Sequence, residues 1–253
     1  MRREKERGFF REERKEKGSR DRKETEFTHH KMSHTTVDPL PILLEAAKDG
    51  KPRAIFGICA EPGAGKTTLA DKIAKRVNHT FPGRCVALSM DGFHLYRSEL
   101  SKGVAGRTPD ESHTRRGAPW TFDPQKMATR LRTIINSPAH TVPWPTFDHA
   151  VKDPEEDAIL VGPEVQVIIV EGLYLLLRES GWESLEGLFE QVWFLNTPPE
   201  LCHERLLARH QSAWGISKEE AQQRIDQNDG INSLLVRASK NKSHGLLDHC
   251  VSY

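Results

Sequence analysis

Residues 53–78 read RAIFGICAEPGAGKTTLADKIAKRVN, an apolar run, a Gly-rich loop and an amphipathic segment laid end to end. The run at 53–60 has strand length and no polar alternation, the pattern of a strand buried on both faces. Leu69, Ile73 and Val77 then fall four apart, one stripe of a helix. Between them, Gly63 and Gly65 let the backbone turn its N–H groups inward around an anion. The first helical turn adds unpaired donors and the positive end of its dipole. Lys66 is placed to reach phosphate oxygens and Thr67 to ligate Mg²⁺. The nucleotide-binding set read from this loop is Glu61, Pro62, Gly63, Ala64, Gly65, Lys66, Thr67 and Thr68. Ala60 stands where the strict pattern has glycine, a small change if it keeps a negative φ. A solvated Gly-rich turn would leave the two threonines and the strand–loop–helix order as coincidence.

The rest of the chain continues this alternation. PLPILLEAA is a short lead-in helix ending at Gly50, and RCVALSM (84–90) a second strand stopped by Asp91-Gly92. Residues 92–122 show no period and read as a long exposed loop, the kind that is often functional. Asp123 and Pro124 open a helix over 123–137 as N-cap and first residue. TVPWPTFDH (141–149) is extended and proline-broken, an edge strand or an active-site flap. VQVIIVEG (165–172) and QVWFLNT (191–197) are two further buried strands, followed by two helices over 198–229. Strand–helix alternation with right-handed crossovers predicts an α/β fold, a parallel sheet covered on both faces. The expected domain runs over 38–240, with a charged tail at 1–37 and a C-terminal tail of undetermined structure at 241–253.

A formal net charge of +1 argues against a specific nucleic-acid surface and against electrostatic membrane attachment. Residues 1–31 hold twelve Lys/Arg against eight Asp/Glu and only three phenylalanines, so disorder is expected there. The segment lacks the apolar core of a secretion signal, and its acids argue against a mitochondrial presequence. His29, His30 and His34 have no carboxylate or thiol beside them and are read as solvated. Cys59, Cys85, Cys202 and Cys250 are widely spaced, which suits reduced thiols and carries no zinc signature. No apolar run reaches membrane-span length. The expectation is a cytoplasmic protein.

Two acids end predicted strands, where α/β proteins bind ligands. Asp91 in ALSMDGFHL could take the proton of an attacking hydroxyl, although Asp-Gly is also a common turn. Glu171 in VIIVEG has the form of a strand-ending acid that holds a Mg²⁺-bound water. A phosphate loop and two such acids on three strand ends are unlikely to coincide by chance.

With GICAEPGAGKTTLA, SMDGFHL, RRGAPWTFD, VPWPTFDHAVKDP, IIVEGLYLLL and FLNTPPELCHERLLARH in that order, residues 55–235 resemble the phosphoribulokinase/uridine kinase family of P-loop kinases. The likeness is to the pantothenate-kinase-like branch, with bacterial fructose-transport-associated kinases and a fungal ATP-dependent kinase group. It implies a P-loop NTPase fold, a three-layer α/β/α arrangement with a mostly parallel five-stranded sheet and a helical lid. It implies ATP and Mg²⁺ as cofactors, with Thr67 and Glu171 at the metal. Lys66, Asp91, Arg116 and Arg209 fall on catalytic positions. Asp91, Phe93, His94, Arg116, Trp144, Phe147, Asp148 and His149 fall on the acceptor side. Arg205 shares a helical face with Arg209, and either could clamp phosphate or pair with Glu200 and Glu204. Beyond NDGINSLLV the family pattern stops.

The resemblance implies a kinase transferring the γ-phosphoryl group of ATP to a metabolite hydroxyl on a nucleoside, pantothenate-like compound or sugar. Its partners would be ATP and that small molecule, with the protein a monomer or homodimer. A guanine-nucleotide switch would need Asn-Lys-x-Asp after a strand, and NKSH (241–244) lacks the aspartate. The alternative is a P-loop protein that binds nucleotide in a regulatory or assembly role without transfer.

Overall fold

The computed structural model describes residues 35–148 and 151–250. Nearly all of the expected charged tail, and His149 of the acceptor segment, lie outside them. Along the chain the strands are β1 (Ala54–Cys59), β2 (Cys85–Ser89), β3 (Val142–Asp148), β4 (Asp153–Val161), β5 (Val167–Gly172), β6 (Gln191–Asn196) and β7 (Leu246–Asp248). The helices are α1 (Leu40–Ala46), α2 (Lys66–Thr80), α3 (Arg97–Leu100), α4 (Pro109–Thr114), α5 (Pro124–Asn136), α6 (Pro199–Trp214), α7 (Lys218–Arg224) and α8 (Gly230–Ala238).

Five strands form a sheet in the order β2-β5-β1-β6-β7, and every pairing is parallel. All six residues of β1 and all six of β5 are buried, which explains their unbroken apolar runs. Successive residues serve opposite faces. Phe56, Ile58, Val167 and Ile169 pack with Leu43 of α1 and with Leu69, Ile73 and Val77 of α2. Ile55, Ile168 and Val170 pack with Met127, Leu131 and Ile134 of α5. The result is the expected three-layer α/β/α arrangement. Burying each of the large α2 side chains contributes about 1.5–3 kcal/mol relative to exposure.

Three expectations need correction. Residues 92–122 are not one loop, because they hold α3, α4 and two 3₁₀ turns (Met90–Phe93 and Pro119–Thr121). Thr108 caps α4 by accepting from the Glu111 N–H, with Pro109 at the first position. Helices of four and six residues are too short to show a period. Of the segment at 141–149, Val142–Asp148 form one arm of a two-stranded antiparallel hairpin, β3 with β4, separate from the main sheet. Its partner β4 reads as loop in the sequence because Glu155, Glu156, Asp157 and Ala158 are exposed. Finally, β7 supplies the fifth sheet strand from the stretch placed outside the domain, so the boundary at 240 falls short. Among its residues Leu247 is fully buried.

The hairpin sits against the 3₁₀ turn at Met90–Phe93. The Trp144 indole N–H donates to the Ser89 carbonyl at 2.9 Å, and the Trp144 and Phe93 rings meet edge-on at 4.8 Å. A Cβ at Gly92 would lie 2.1 Å from the Pro145 carbonyl oxygen, so only glycine lets the two backbones approach. Gly92→Ala should therefore lose about 1–3 kcal/mol of stability through forced displacement of the hairpin. Urea unfolding checks this, and an unchanged midpoint would show that the hairpin moves freely.

Candidate active site

The carboxyl ends of the parallel strands bring the predicted residues to one edge of the sheet, as open α/β sheets do. The 60–65 loop follows β1, Asp91 follows β2, Glu171 is the penultimate residue of β5, and Thr197 follows β6. His249 follows β7.

Gly63 has φ +77° and Gly65 φ +92°, and a Cβ at Gly63 would strike the Cys202 carbonyl oxygen at 2.4 Å. That left-handed backbone is the reason for the glycine. Ala60 does not take a positive φ and is fully buried, so the missing first glycine changes nothing locally. Among the described residues, no protein group accepts from the N–H groups of Gly63, Gly65, Lys66, Thr67 or Thr68. A row of unmatched donors at a helix start fits an anion. The loop is braced from outside. The Ala64 carbonyl accepts from Thr197 Oγ1 at 2.9 Å and from Arg205 Nη1 at 3.1 Å.

Thr67 Oγ1 donates to Glu171 Oε1 at 2.9 Å, with Thr67 exposed and Glu171 only 4% exposed. Burial drives the Glu171 carboxyl above its ordinary range, the Lys66 charge opposes it, and the Asp91 charge adds to the rise. The two carboxylates and the lysine thus share one electrostatic centre. A hydroxyl and an acid joined in this way, beside a second acid, form an oxygen donor set suited to Mg²⁺.

Asp91 is half-buried, its N–H capped by Ser89 Oγ at 3.2 Å. Its carbonyl receives His94 Nδ1 at 2.8 Å. The His94 ring lies between Phe122 (3.9 Å between centroids) and Phe147 (4.6 Å), which fixes it on the hairpin side of Asp91. Asp148 closes β3 in the same region. Phe147 of the hairpin thus packs on the His94 ring, which is hydrogen-bonded to the Asp91 carbonyl.

Several predicted residues are placed otherwise. Trp144 is fully buried and Phe93 is 1% exposed, so both brace the site from behind and neither offers a face to a ligand. Glu61 turns away from the loop's interior, its carboxylate held by Arg237 of α8 in a two-pronged pair (2.9 and 2.6 Å). Pro62 is buried. Arg209 is exposed, and the arginine that reaches the loop is Arg205, not paired with Glu200 or Glu204. Arg116 is spent on backbone. It donates to the Lys152 carbonyl (2.5 Å), the Leu95 carbonyl (2.7 Å) and Asp153 Oδ1 (3.2 Å), and its charge lies 5.1 Å from the Phe147 ring.

Sequence reasoning also missed a polar network behind the site. Arg115 donates to Asn228 and Asn232, Asn228 returns to the Arg116 carbonyl, and Tyr174 donates to the Gly117 carbonyl at 2.6 Å. No periodicity marks such contacts, which span more than 50 residues. Of the thiols, Cys59 and Cys85 are pushed by burial up to about 12, which makes them poor nucleophiles. No helix among the described residues is long and apolar enough to cross a membrane.

Next to the loop lies a cavity of ≈ 360 Å³, lined by Gly65, Thr68, Lys72, Leu195, Arg205 and His249. His249 Nδ1 lies 3.5 Å from Asp248 Oδ1 and its Nε2 3.2 Å from Cys250 Sγ, which orient the ring.

Comparison with known proteins adds to this geometry. The profile described as "Phosphoribulokinase / Uridine kinase family" matches residues 55–230. A Schizosaccharomyces pombe protein named "Putative uridine kinase C227.14" is 34% identical over 186 residues, 73% of this chain and 78% of that protein. The Aspergillus versicolor "ATP-dependent kinase-like protein notR'" is 38% identical over 149 residues, 57% of this chain and 84% of the relative. Among solved structures, a "putative fructose transport system kinase" from Silicibacter sp. TM1040 superposes with a TM-score of 0.69. It shares 27% identity and covers 83% of this chain and 99% of its own.

Proposed function

This chain belongs to the phosphoribulokinase/uridine kinase family, and from that premise we propose that it transfers the γ-phosphoryl group of ATP to a hydroxyl of a small metabolite. The observation that carries the reading is the meeting of the phosphate loop, Glu171 and Asp91 at one strand edge, with the His94–Phe147 contact beside Asp91. A nucleotide-binding protein without transfer would have no use for an acid and an aromatic-lined segment facing the loop.

In this reading the N–H groups of Gly63, Gly65, Lys66, Thr67 and Thr68, together with the Lys66 ammonium, hold the phosphate oxygens. Thr67 and Glu171 would hold Mg²⁺, which when bound neutralises charge on the phosphates. Asp91 orients the acceptor hydroxyl and takes its proton. The acceptor oxygen bonds to the γ-phosphorus as the bond to the β,γ-bridging oxygen breaks, and ADP leaves. Phe147, His94 and Asp148 line the acceptor side, while Arg116 sets the hairpin rather than touching phosphate. Catalysis is then mainly positioning and charge neutralisation.

The nucleoside half of ATP goes to the ≈ 360 Å³ cavity bordered by Gly65, Thr68, Arg205 and His249. Stacking on an aromatic ring is worth about 1–3 kcal/mol per base. His249→Ala should accordingly weaken ATP binding by about 5- to 100-fold, read as an equilibrium Kd by calorimetry. An unchanged Kd would place the base elsewhere.

The function itself is tested by an ADP-release screen of purified protein with Mg²⁺-ATP across a panel of nucleosides, sugars and hydroxy acids. Release stimulated by one acceptor class supports the reading. ATP binding with a silent panel would favour the regulatory alternative.

A further inference from the structure

Trp214 closes α6 and is 44% exposed, so core packing does not account for it. Two cations lie against its ring. The Lys152 ammonium is 3.8 Å from the ring centroid and the Arg224 guanidinium carbon 4.1 Å. Arg224 ends α7, on the same side of the molecule's chain order as Trp214, whereas Lys152 belongs to the turn joining β3 to β4. Without the indole these cations would repel one another. The electron-rich ring makes both contacts favourable at once.

Lys152 is itself tightly held. It has φ +62°, its N–H donates to the Asp148 carbonyl at 2.7 Å, and its carbonyl accepts from Arg116. Arg116 also donates to the carbonyl of Leu95, next to His94. Asp153 joins the same node by accepting from Arg116 and from the Arg97 N–H at 2.8 Å. A continuous set of contacts therefore runs from Trp214 through Lys152 and Arg116 to the segment that carries Asp91 and His94.

We propose that Trp214 is a latch joining the α6–α7 helices, whose Arg205 braces the phosphate loop, to the β3–β4 hairpin that forms the acceptor side. With the latch made, the turn at 151–153 is held toward Arg116, and His94 and Phe147 are held beside Asp91. Trp214 is a positioning residue and touches no substrate. The proposal rests on the kinase reading for its meaning but not for its test.

The test is hydrogen exchange of the peptide spanning residues 146–160 in the full chain without nucleotide, for the parent, Trp214→Ala, Trp214→Phe and Lys152→Met. Losing the exposed Lys152–Trp214 cation–π contact should speed exchange at the 151–153 amides by about 2- to 5-fold in Trp214→Ala. Trp214→Phe should restore part of the protection, because a smaller ring still attracts both cations. Lys152→Met should speed exchange too, and combining it with Trp214→Ala should add little, since both remove one contact. The ATP Kd should stay at the parent value, because Trp214 touches no nucleotide, and the thermal midpoint should fall by only about 1–4 °C. Unchanged exchange in Trp214→Ala, or fully additive effects of the two substitutions, would overturn the latch. A protein that bound ATP and transferred nothing would overturn the proposed function and leave the exchange effect in place.

Discussion

Asp91→Asn is expected to lower kcat for phosphoryl transfer by about 10²–10⁴-fold while the ATP Kd stays within about twofold of the parent. The substitution keeps the side chain's volume and leaves the Ser89 hydroxyl bond to the residue 91 amide untouched. It removes the ability to accept a proton. It also removes one of the two negative charges at the site, so the push that Asp91 exerts on Glu171 disappears and the Glu171 carboxyl moves back toward its ordinary range. Nucleotide binding, which rests on the loop amides and Lys66, should be indifferent or slightly improved. The split between a collapsed turnover and an intact Kd is what distinguishes a proton acceptor from a structural turn aspartate. Parent-level turnover in Asp91→Asn would remove the base assignment.

Lys66→Ala should reduce kcat/KM by about 10³-fold or more, with losses in both nucleotide affinity and turnover. Lysine at the start of α2 is the mobile cation among fixed amide donors, and its charge is also the main one opposing the upward shift of Glu171. Without it the Glu171 carboxyl rises further, because burial and Asp91 then act unopposed by that cation. The consequence for stability has a definite sign. An acid whose folded pKa lies above its unfolded value holds its proton more tightly when folded, so stability falls as pH rises from the ordinary glutamate range through the raised value. The Lys66→Ala protein should thus lose more stability than the parent over that climb in pH. Thermal midpoints measured across the pH range check it, and parallel curves for the two proteins would show that Lys66 and Glu171 are not coupled.

What the sequence revealed and what it hid follow from the range of the forces involved. The loop, the buried strands β1, β5 and β6 and the N-cap at Asp123 are set by neighbours within a few residues, and each was readable. The hairpin was half readable. Proline and aromatic residues marked β3, but β4 offers exposed acids where a strand pattern needs alternation. Trp144 shows the difficulty sharply. A register shift between Trp144 and Thr146 breaks the in–out alternation, so Trp144 and Pro145 are both buried and no alternation rule could orient the indole. Likewise β7 is three residues long, too short to signal itself, and is found only through its pairing with β6. Arg116 had the composition of a phosphate ligand, and its commitment to the carbonyls of Leu95 and Lys152 depends on contacts 21 and 36 residues away. Arg205 and Arg209 share one helical face, and only the placement of α6 against the loop selects Arg205.

The C-terminal stretch gains a role from the same long-range pairing. Arg237 neutralises the buried Glu61 of the phosphate loop, and β7 carries His249 to the cavity beside Gly65. Both lie beyond the point where the family pattern stops in the sequence, yet both border the loop.

The most direct measurement of the central claim follows the label from [γ-³²P]ATP in the presence of the acceptor that stimulates ADP release. The account predicts that the label appears in a phosphate ester of that acceptor, at a rate that collapses in Asp91→Asn. Label recovered only as inorganic phosphate, or still esterified at the parent rate in Asp91→Asn, would contradict it.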